Sequence, residues 1–205
     1  MSYRFLKVQT FVVAAALSIT MLLFAAQHHT FAPEPEYRAV VDLSHSRTTM
    51  LIAPAKLGGG WTVDALPPSR LIAPLAVIEA QHKNFPDLES LVTMDDVASY
   101  EPTHGAVSQG AIILLTSKRK NATPVFDHDA LHFLVEARSV VGIGSAGTQV
   151  ASADENSYLA NKGIYELESV ANVSFVPATG VIAIAAPQKI DGAVEGPVRL
   201  MALVR

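Results

Sequence analysis

The sequence contains no cysteine, so disulfide bonds, thiolate metal sites and a cysteine nucleophile are excluded. Any metal site would have to use histidine, aspartate and glutamate. Charge is also sparse, because only 17% of the residues are charged and the net charge is -4 at pH 7. The lysines and arginines are scattered rather than clustered, so we do not expect a nucleic-acid partner. With 205 residues, half of them hydrophobic, the chain is long enough for one well-buried domain.

An uncharged apolar run over residues 8–26 follows Arg4 and Lys7 near the start of the chain. This order is typical of a secretory signal peptide or of an N-terminal membrane anchor. The sequence contains no clean cleavage site that would decide between the two. We therefore expect residues 1–32 to be a signal peptide or membrane anchor with a short linker, and residues 33–205 to be the domain. The domain is expected in the periplasm or elsewhere outside the cytosol, tied to the inner membrane if the segment is retained.

Short apolar runs rich in β-branched residues alternate with helical stretches in the rest of the chain. The patterns predict buried strands over 39–43, 71–78, 111–116, 139–143, 181–185 and 198–204. Helices are predicted over 94–100, after Thr93, and over 129–138, with Asp127 as the cap. These elements predict a single α/β domain with a mixed β-sheet and flanking helices, preceded by an N-terminal apolar helix.

Five collinear segments carry a resemblance to a known family. They are Pro54-Ala55-Lys56-Leu57-Gly58-Gly59-Gly60-Trp61-Thr62-Val63-Asp64, Thr93-Met94-Asp95-Asp96-Val97 with the strand at 110–114, Val140-Val141-Gly142-Ile143-Gly144, Gly163-Ile164-Tyr165-Glu166-Leu167-Glu168-Ser169-Val170-Ala171-Asn172, and Ala186-Pro187-Gln188-Lys189-Ile190-Asp191-Gly192 with 196–204. Together they resemble the cyclase family of metal-dependent hydrolases, the relatives of kynurenine formamidase. The resemblance implies a usually oligomeric α/β domain that hydrolyses amides or cyclic amides with zinc or manganese.

The family motif is His-x-Gly-Thr-His-x-Asp-x-Pro-x-His, in which two histidines and the aspartate bind the metal and the last histidine transfers protons. When the motif is aligned on Pro54, the ligand positions are occupied by Ser46, Met50 and Ile52, and Lys56 stands at the proton-transfer position. Only the motif's threonine, Thr49, and Pro54 itself are kept.

Further along the chain, a family histidine is replaced by Asn156, while the glutamate of the Leu-Glu-Asn segment is retained as Glu168. An aspartate of the family's Gly-Ile-Asp-Thr stretch corresponds to Ala146. One carboxylate and one amide are too few to hold a zinc or manganese ion, which normally needs three or four protein ligands. Residues 41–45 match either the family's opening strand followed by a deletion, or the strand that leads straight into the motif.

Four other positions are weaker candidates. His128 and His132 stand at i and i+4 and would share a helix face, but the sequence marks no third ligand beside them, which favours ordinary surface histidines. His45 would need a one-residue shift in register to replace Ser46, and such a shift turns the side chain to the other face. Trp61 is a weak candidate for substrate binding and is more simply explained as a packing residue.

The sequence therefore predicts a catalytically degenerate, metal-free member of the family that acts outside the cytosol as a binding or scaffold protein, with no cofactor. The alternative is a metal-dependent hydrolase of a small amide or cyclic amide, which would require zinc or manganese. A homo-oligomer or a complex with an active paralogue is the expected assembly, with the membrane contacted through the N-terminal segment.

Overall fold

The computed structural model of the protein describes residues 37–45, 49–80, 91–118 and 122–205. The strands in these ranges are β1 (Ala39–Asp42), β2 (Met50–Ile52), β3 (Ile72–Ala80), β4 (Leu91–Val92), β5 (Ile112–Ser117), β6 (Val125–Phe126), β7 (Gly142–Gly144), β8 (Tyr165–Glu168), β9 (Val181–Pro187) and β10 (Glu195–Val204). The helices are α1 (Pro68–Leu71), α2 (Met94–His104), α3 (His128–Arg138) and α4 (Ala153–Asn161), and short 3-10 turns lie at Pro54–Leu57, Val63–Ala65 and Val173–Phe175.

Eight of the strands form one mixed sheet in the order β1-β10-β2-β8-β7-β5-β3-β9. The sheet closes into a barrel because β9 also pairs with β10, from Val198↔Pro187 to Val204↔Val181. The pairs β3–β5, β5–β7 and β7–β8 are parallel, whereas the others are antiparallel. The long strand β10 pairs with β2 through its first residues and with β1 through its last. Strands β4 and β6 form a separate parallel pair.

Because successive side chains of a strand point to opposite faces of the sheet, the domain has two hydrophobic cores. One side of each strand packs inside the barrel, with Leu75, Leu114 and Leu200 all buried. The other side of β3, β5 and β7 packs beneath the helices, where Ile113 and Ile143 are buried together with residues of α2, α3 and α4. Full burial of an aliphatic side chain contributes about 1.5–3 kcal/mol, so the repeated inside–outside pattern fixes the register of these strands.

The helices begin where the sequence supplies a cap. The carboxylate of Asp127 accepts a hydrogen bond from the Ala130 N–H (2.8 Å), as predicted for the start of α3. Helix α3 ends at Arg138 and is followed by the C-cap residue Ser139, whose φ of 50° lies in the left-handed region. The strand predicted from residue 139 therefore begins only at β7.

The predicted α/β class with a mixed sheet and flanking helices is confirmed, and all six predicted strands have a counterpart. The closure of the sheet into a barrel was not predicted, nor were β2, β8 and α4. Helix α2 extends beyond the predicted end at residue 100 to His104, where Gly105 (φ 85°) follows. The predicted N-terminal apolar helix lies outside the described residues. Within the described ranges, no helix has the length and apolar character needed to cross a bilayer.

Candidate functional site

The motif strand β2 lies directly beside β8. Their antiparallel register pairs Met50 with Glu168 and Ile52 with Glu166. Leu51 and Leu167 belong to the core inside the barrel, so the alternating side chains at the four paired positions project from its outer surface. The retained Glu168 is thus beside one lost ligand position, and a second carboxylate, Glu166, is beside another.

Glu166 is the most unusual group of this region. Its residue is only 4% exposed, and its Oε1 atom has no hydrogen-bond partner among the described residues. Burial, followed by the negative charge of Glu168, raises the pKa of Glu166 from its ordinary value of 4.5 to about 7, although the positive charge of Lys56 acts in the opposite direction. The carboxyl group therefore keeps its proton to a higher pH than an ordinary glutamate does.

A positive charge stands next to the two carboxylates. The Lys56 ammonium forms an ion pair with Glu195, the first residue of β10, and its side chain is 40% exposed. Lys56 is therefore partly solvated rather than buried. Burial is also the first cause of the raised pKa of Glu168, while Lys56 lowers it. We call Lys56, Glu166, Glu168 and Glu195 the glutamate–lysine cluster.

Helix α4 brings the position of the lost downstream histidine towards this region, because it packs against the 3-10 turn Pro54–Leu57 that carries Lys56. Asn156 lies on this helix, and its buried Oδ1 atom has no hydrogen-bond partner among the described residues. Ala146 lies after β7 and offers no donor. The motif position Ser46 lies outside the described residues.

The motif positions do not fit a zinc or manganese ion. Met50 and Ile52 supply no ligand atoms, and the ammonium of Lys56 repels a cation. Only carboxylate and amide oxygens remain, whereas zinc sites usually combine at least three protein ligands rich in histidine or cysteine. In the described part of the chain, the three carboxylates of the glutamate–lysine cluster do not converge closely enough to be a metal-holding group. We therefore assign no step of a reaction to a metal at the motif.

A set of donors suited to a metal does exist elsewhere, which corrects one expectation. The sequence marked no third ligand beside His128 and His132 on α3 and favoured ordinary surface histidines, but Glu155 of α4 contacts both. One ring nitrogen of each histidine and a carboxylate oxygen lie within 4.8 Å of one another. The expected absence of a cofactor is therefore not confirmed.

The remaining candidates, Trp61 and His45, are not members of the glutamate–lysine cluster. Trp61 packs against Gly163 and the Arg70 guanidinium (5.1 Å from the ring centroid) and lines a shallow cavity of about 320 Å³. The backbone N–H of His45 donates to the Thr49 hydroxyl (2.6 Å). His45 lines a different cavity, of about 460 Å³, bounded by β10 and the end of β9, and Glu168 is not among its lining residues.

Comparison with known proteins identifies the class of this fold. The family model described as "Putative cyclase" matches residues 14–151, about two thirds of the sequence, and the chain belongs to the cyclase family. The match begins within the apolar run, so part of the segment interpreted as a signal or anchor aligns with the family.

One curated relative is the isatin hydrolase of Roseibium aggregatum, which is 32% identical to this chain over 170 residues. Those residues are 71% of this chain and 64% of the relative, so the chain spans slightly less than two thirds of that protein. Among solved structures, isatin hydrolase A from Labrenzia aggregata bound to benzyl benzoate superposes with a TM-score of 0.69 and 24% identity, covering 81% of this chain and 82% of that chain. A potential metal-dependent hydrolase with cyclase activity superposes with a TM-score of 0.62 and 19% identity, covering 85% and 90%. These structures show the fold.

Glu166 and Glu195 were not predicted from the sequence as members of a cluster. A signal for Glu166 was present, because the family segment resembled by residues 163–172 has glycine at this position. The signal for Glu195 was weaker, since its contact with Lys56 joins residues that are 139 positions apart.

Proposed function

We propose that the chain is a hydrolase of small cyclic amides in which Glu166 activates water. The observation that carries the proposal is the buried carboxylate of Glu166, with one oxygen unpartnered among the described residues and a cation nearby. A pKa of about 7 suits a general base at neutral pH. The 32% identity to an isatin hydrolase supports a cyclic amide as the substrate class.

The reaction would proceed without a metal at the motif. Ionised Glu166 takes a proton from water as the water oxygen bonds to the amide carbonyl carbon. The carbonyl oxygen becomes an oxyanion, which the Lys56 ammonium stabilises. The C–N bond then breaks, and the protonated Glu166 carboxyl returns its proton to the leaving nitrogen. Because the amide is cyclic, the product is a single ring-opened molecule that carries a carboxylic acid and an amine. Glu168 keeps Glu166 basic through repulsion between the two carboxylates.

Hydrolysis of isatin by the purified full chain tests this proposal. We expect turnover above the buffer rate, and we expect Glu166→Gln to reduce kcat by at least about a hundredfold, the lower range for loss of a general base. Glu136→Gln, which changes an exposed carboxylate outside the cluster, is the matched control and should leave kcat unchanged. Equal rates in the wild type and Glu166→Gln would refute the assigned role.

A second candidate function is binding without turnover. It is favoured by the apolar side chains of Met50 and the buried Ile52 at two ligand positions of the motif. In that case isatin or a related cyclic amide would bind, as measured by quenching of the fluorescence of Trp61, while its concentration stayed constant over hours. The extracytoplasmic location, the membrane contact and the association with a second copy or a paralogue stay predictions.

A further inference from the structure

Two histidines and a glutamate converge on the outer surface formed by α3 and α4. The Nδ1 atom of His128 lies 2.5 Å from Oε1 of Glu155, and the Nε2 atom of His132 lies 3.0 Å from Oε2 of the same carboxylate. Zinc bonds to nitrogen and oxygen are about 2.1 Å long, so the ligand atoms of a tetrahedral site lie about 3.4 Å apart. The present separations run from 2.5 Å to at most 4.8 Å, which brackets this value.

The surrounding structure holds these donors in place. Asp127 caps α3 at its first turn, which fixes His128 and His132 one helical turn apart on the same face. The ring of Tyr158 stacks on the ring of His132, with centroids 3.9 Å apart and planes inclined by 12°. Glu155 lies in the first turn of α4, where its backbone N–H donates to the side chain of the N-cap residue.

Access and chemistry also suit a metal ion. The side chain of His128 is 66% exposed, whereas those of His132 and Glu155 are 28% and 15% exposed. An ion would therefore enter from the side of His128 and meet a half-buried carboxylate. Two imidazoles and one carboxylate are a common zinc ligand set that leaves one tetrahedral position for water.

We propose that His128, His132 and Glu155 bind one Zn²⁺ ion, which joins α3 to α4 and leaves one coordination position open. The inference is independent of the proposed hydrolase function, because its donors lie outside the glutamate–lysine cluster. Since α4 also packs against the turn that carries Lys56, the ion would stabilise the position of that helix.

Zinc titration of the full chain tests the site. The chain is stripped with EDTA, dialysed and titrated with ZnCl₂ against a chromophoric chelator. We expect His132→Ala to weaken zinc binding at least tenfold and to remove one zinc ion per chain at concentrations that saturate the wild type. Replacing both His28 and His29, which lie outside the described residues, with alanine controls for other histidines and should leave this ion in place.

Two further variants distinguish the loss of a zinc ligand from a loss of folding. His128→Ala changes a largely exposed ring, and Glu155→Gln keeps the shape of the side chain, so both should retain the far-ultraviolet circular dichroism of the wild type. Both should also abolish the visible absorption of four-coordinate Co²⁺ that we expect from the wild type. A wild type that binds no zinc, or folded His128→Ala and Glu155→Gln variants that bind it with unchanged affinity, would overturn the proposal.

Discussion

The burial of Glu166 predicts that the free energy of unfolding depends on pH in a way that Glu166→Gln removes. The pKa of this carboxyl is about 7 in the folded chain, compared with an ordinary value of 4.5. Between these two values the folded state binds more protons than the unfolded state, so stability falls as the pH rises through this window. Below pH 4.5 the carboxyl is neutral in both states, and the group contributes no penalty.

The size of the effect follows from the two pKa values. Each tenfold change in an ionisation equilibrium corresponds to about 1.4 kcal/mol, so ionised Glu166 destabilises the folded chain by about 3 kcal/mol at pH 8. Glutamine has nearly the same shape and no charge. We therefore expect Glu166→Gln to be about 3 kcal/mol more stable than the wild type at pH 8 and about equally stable at pH 4.

Urea denaturation at the two pH values measures this difference. The fluorescence of Trp61, the single tryptophan of the sequence, reports unfolding of the domain. The transition midpoints can be compared directly if the slopes agree. Glu136→Gln, at an exposed carboxylate, should behave like the wild type at both pH values. If the midpoint of Glu166→Gln relative to the wild type is the same at pH 4 and pH 8, the carboxyl is not buried in the way described.

Two other substitutions test the packing of the barrel and its helices. Gly142→Ala should lower the free energy of unfolding by about 1–3 kcal/mol, because the added Cβ would lie 2.5 Å from the ring of Tyr165. Thermal unfolding measures this loss of stability. Gly60→Ala, where a Cβ meets no atom within 4 Å, is the control, and an equal effect of both changes would contradict this packing. Asp127→Ala should cost about 1 kcal/mol through loss of the α3 cap, measured by urea denaturation. Asp127→Asn, which keeps the capping oxygen, should recover most of that loss, and equal stability of Asp127→Ala and the wild type would contradict the role of the cap.

Local patterns were sufficient for strands that are buried on both faces. The runs that became β3 and β5 are nearly continuously apolar because one face lies inside the barrel and the other under helices, and the sequence predicts such strands well. The short strand β8 alternates tyrosine and leucine with two glutamates, a pattern too brief to identify. Closure of the barrel depends on pairing between β9 and β10 and on the position of β3 beside β9, which local patterns do not specify.

In the candidate sites, too, local sequence patterns did not specify contacts between distant residues. The family resemblance located Lys56 and Glu168, because both occupy positions within recognisable segments. The partner of His132 was missed because Glu155 lies 23 residues away on another helix. The packing of α3 against neighbouring elements, rather than sequence spacing, brings these groups together. The raised pKa of Glu166 likewise depends on burial, which a single sequence does not report.

The pH dependence of isatin hydrolysis by the metal-stripped full chain tests the central claim most directly. The account predicts that kcat/KM rises with pH and levels off above about pH 7, as Glu166 loses its proton, and that this rise disappears in Glu166→Gln. Lys56→Met should move the midpoint to higher pH, because Lys56 lowers the pKa of Glu166. The account would be contradicted by an absence of turnover at any pH. It would also be contradicted by turnover that requires added zinc or manganese and has the same rate in Glu166→Gln as in the wild type.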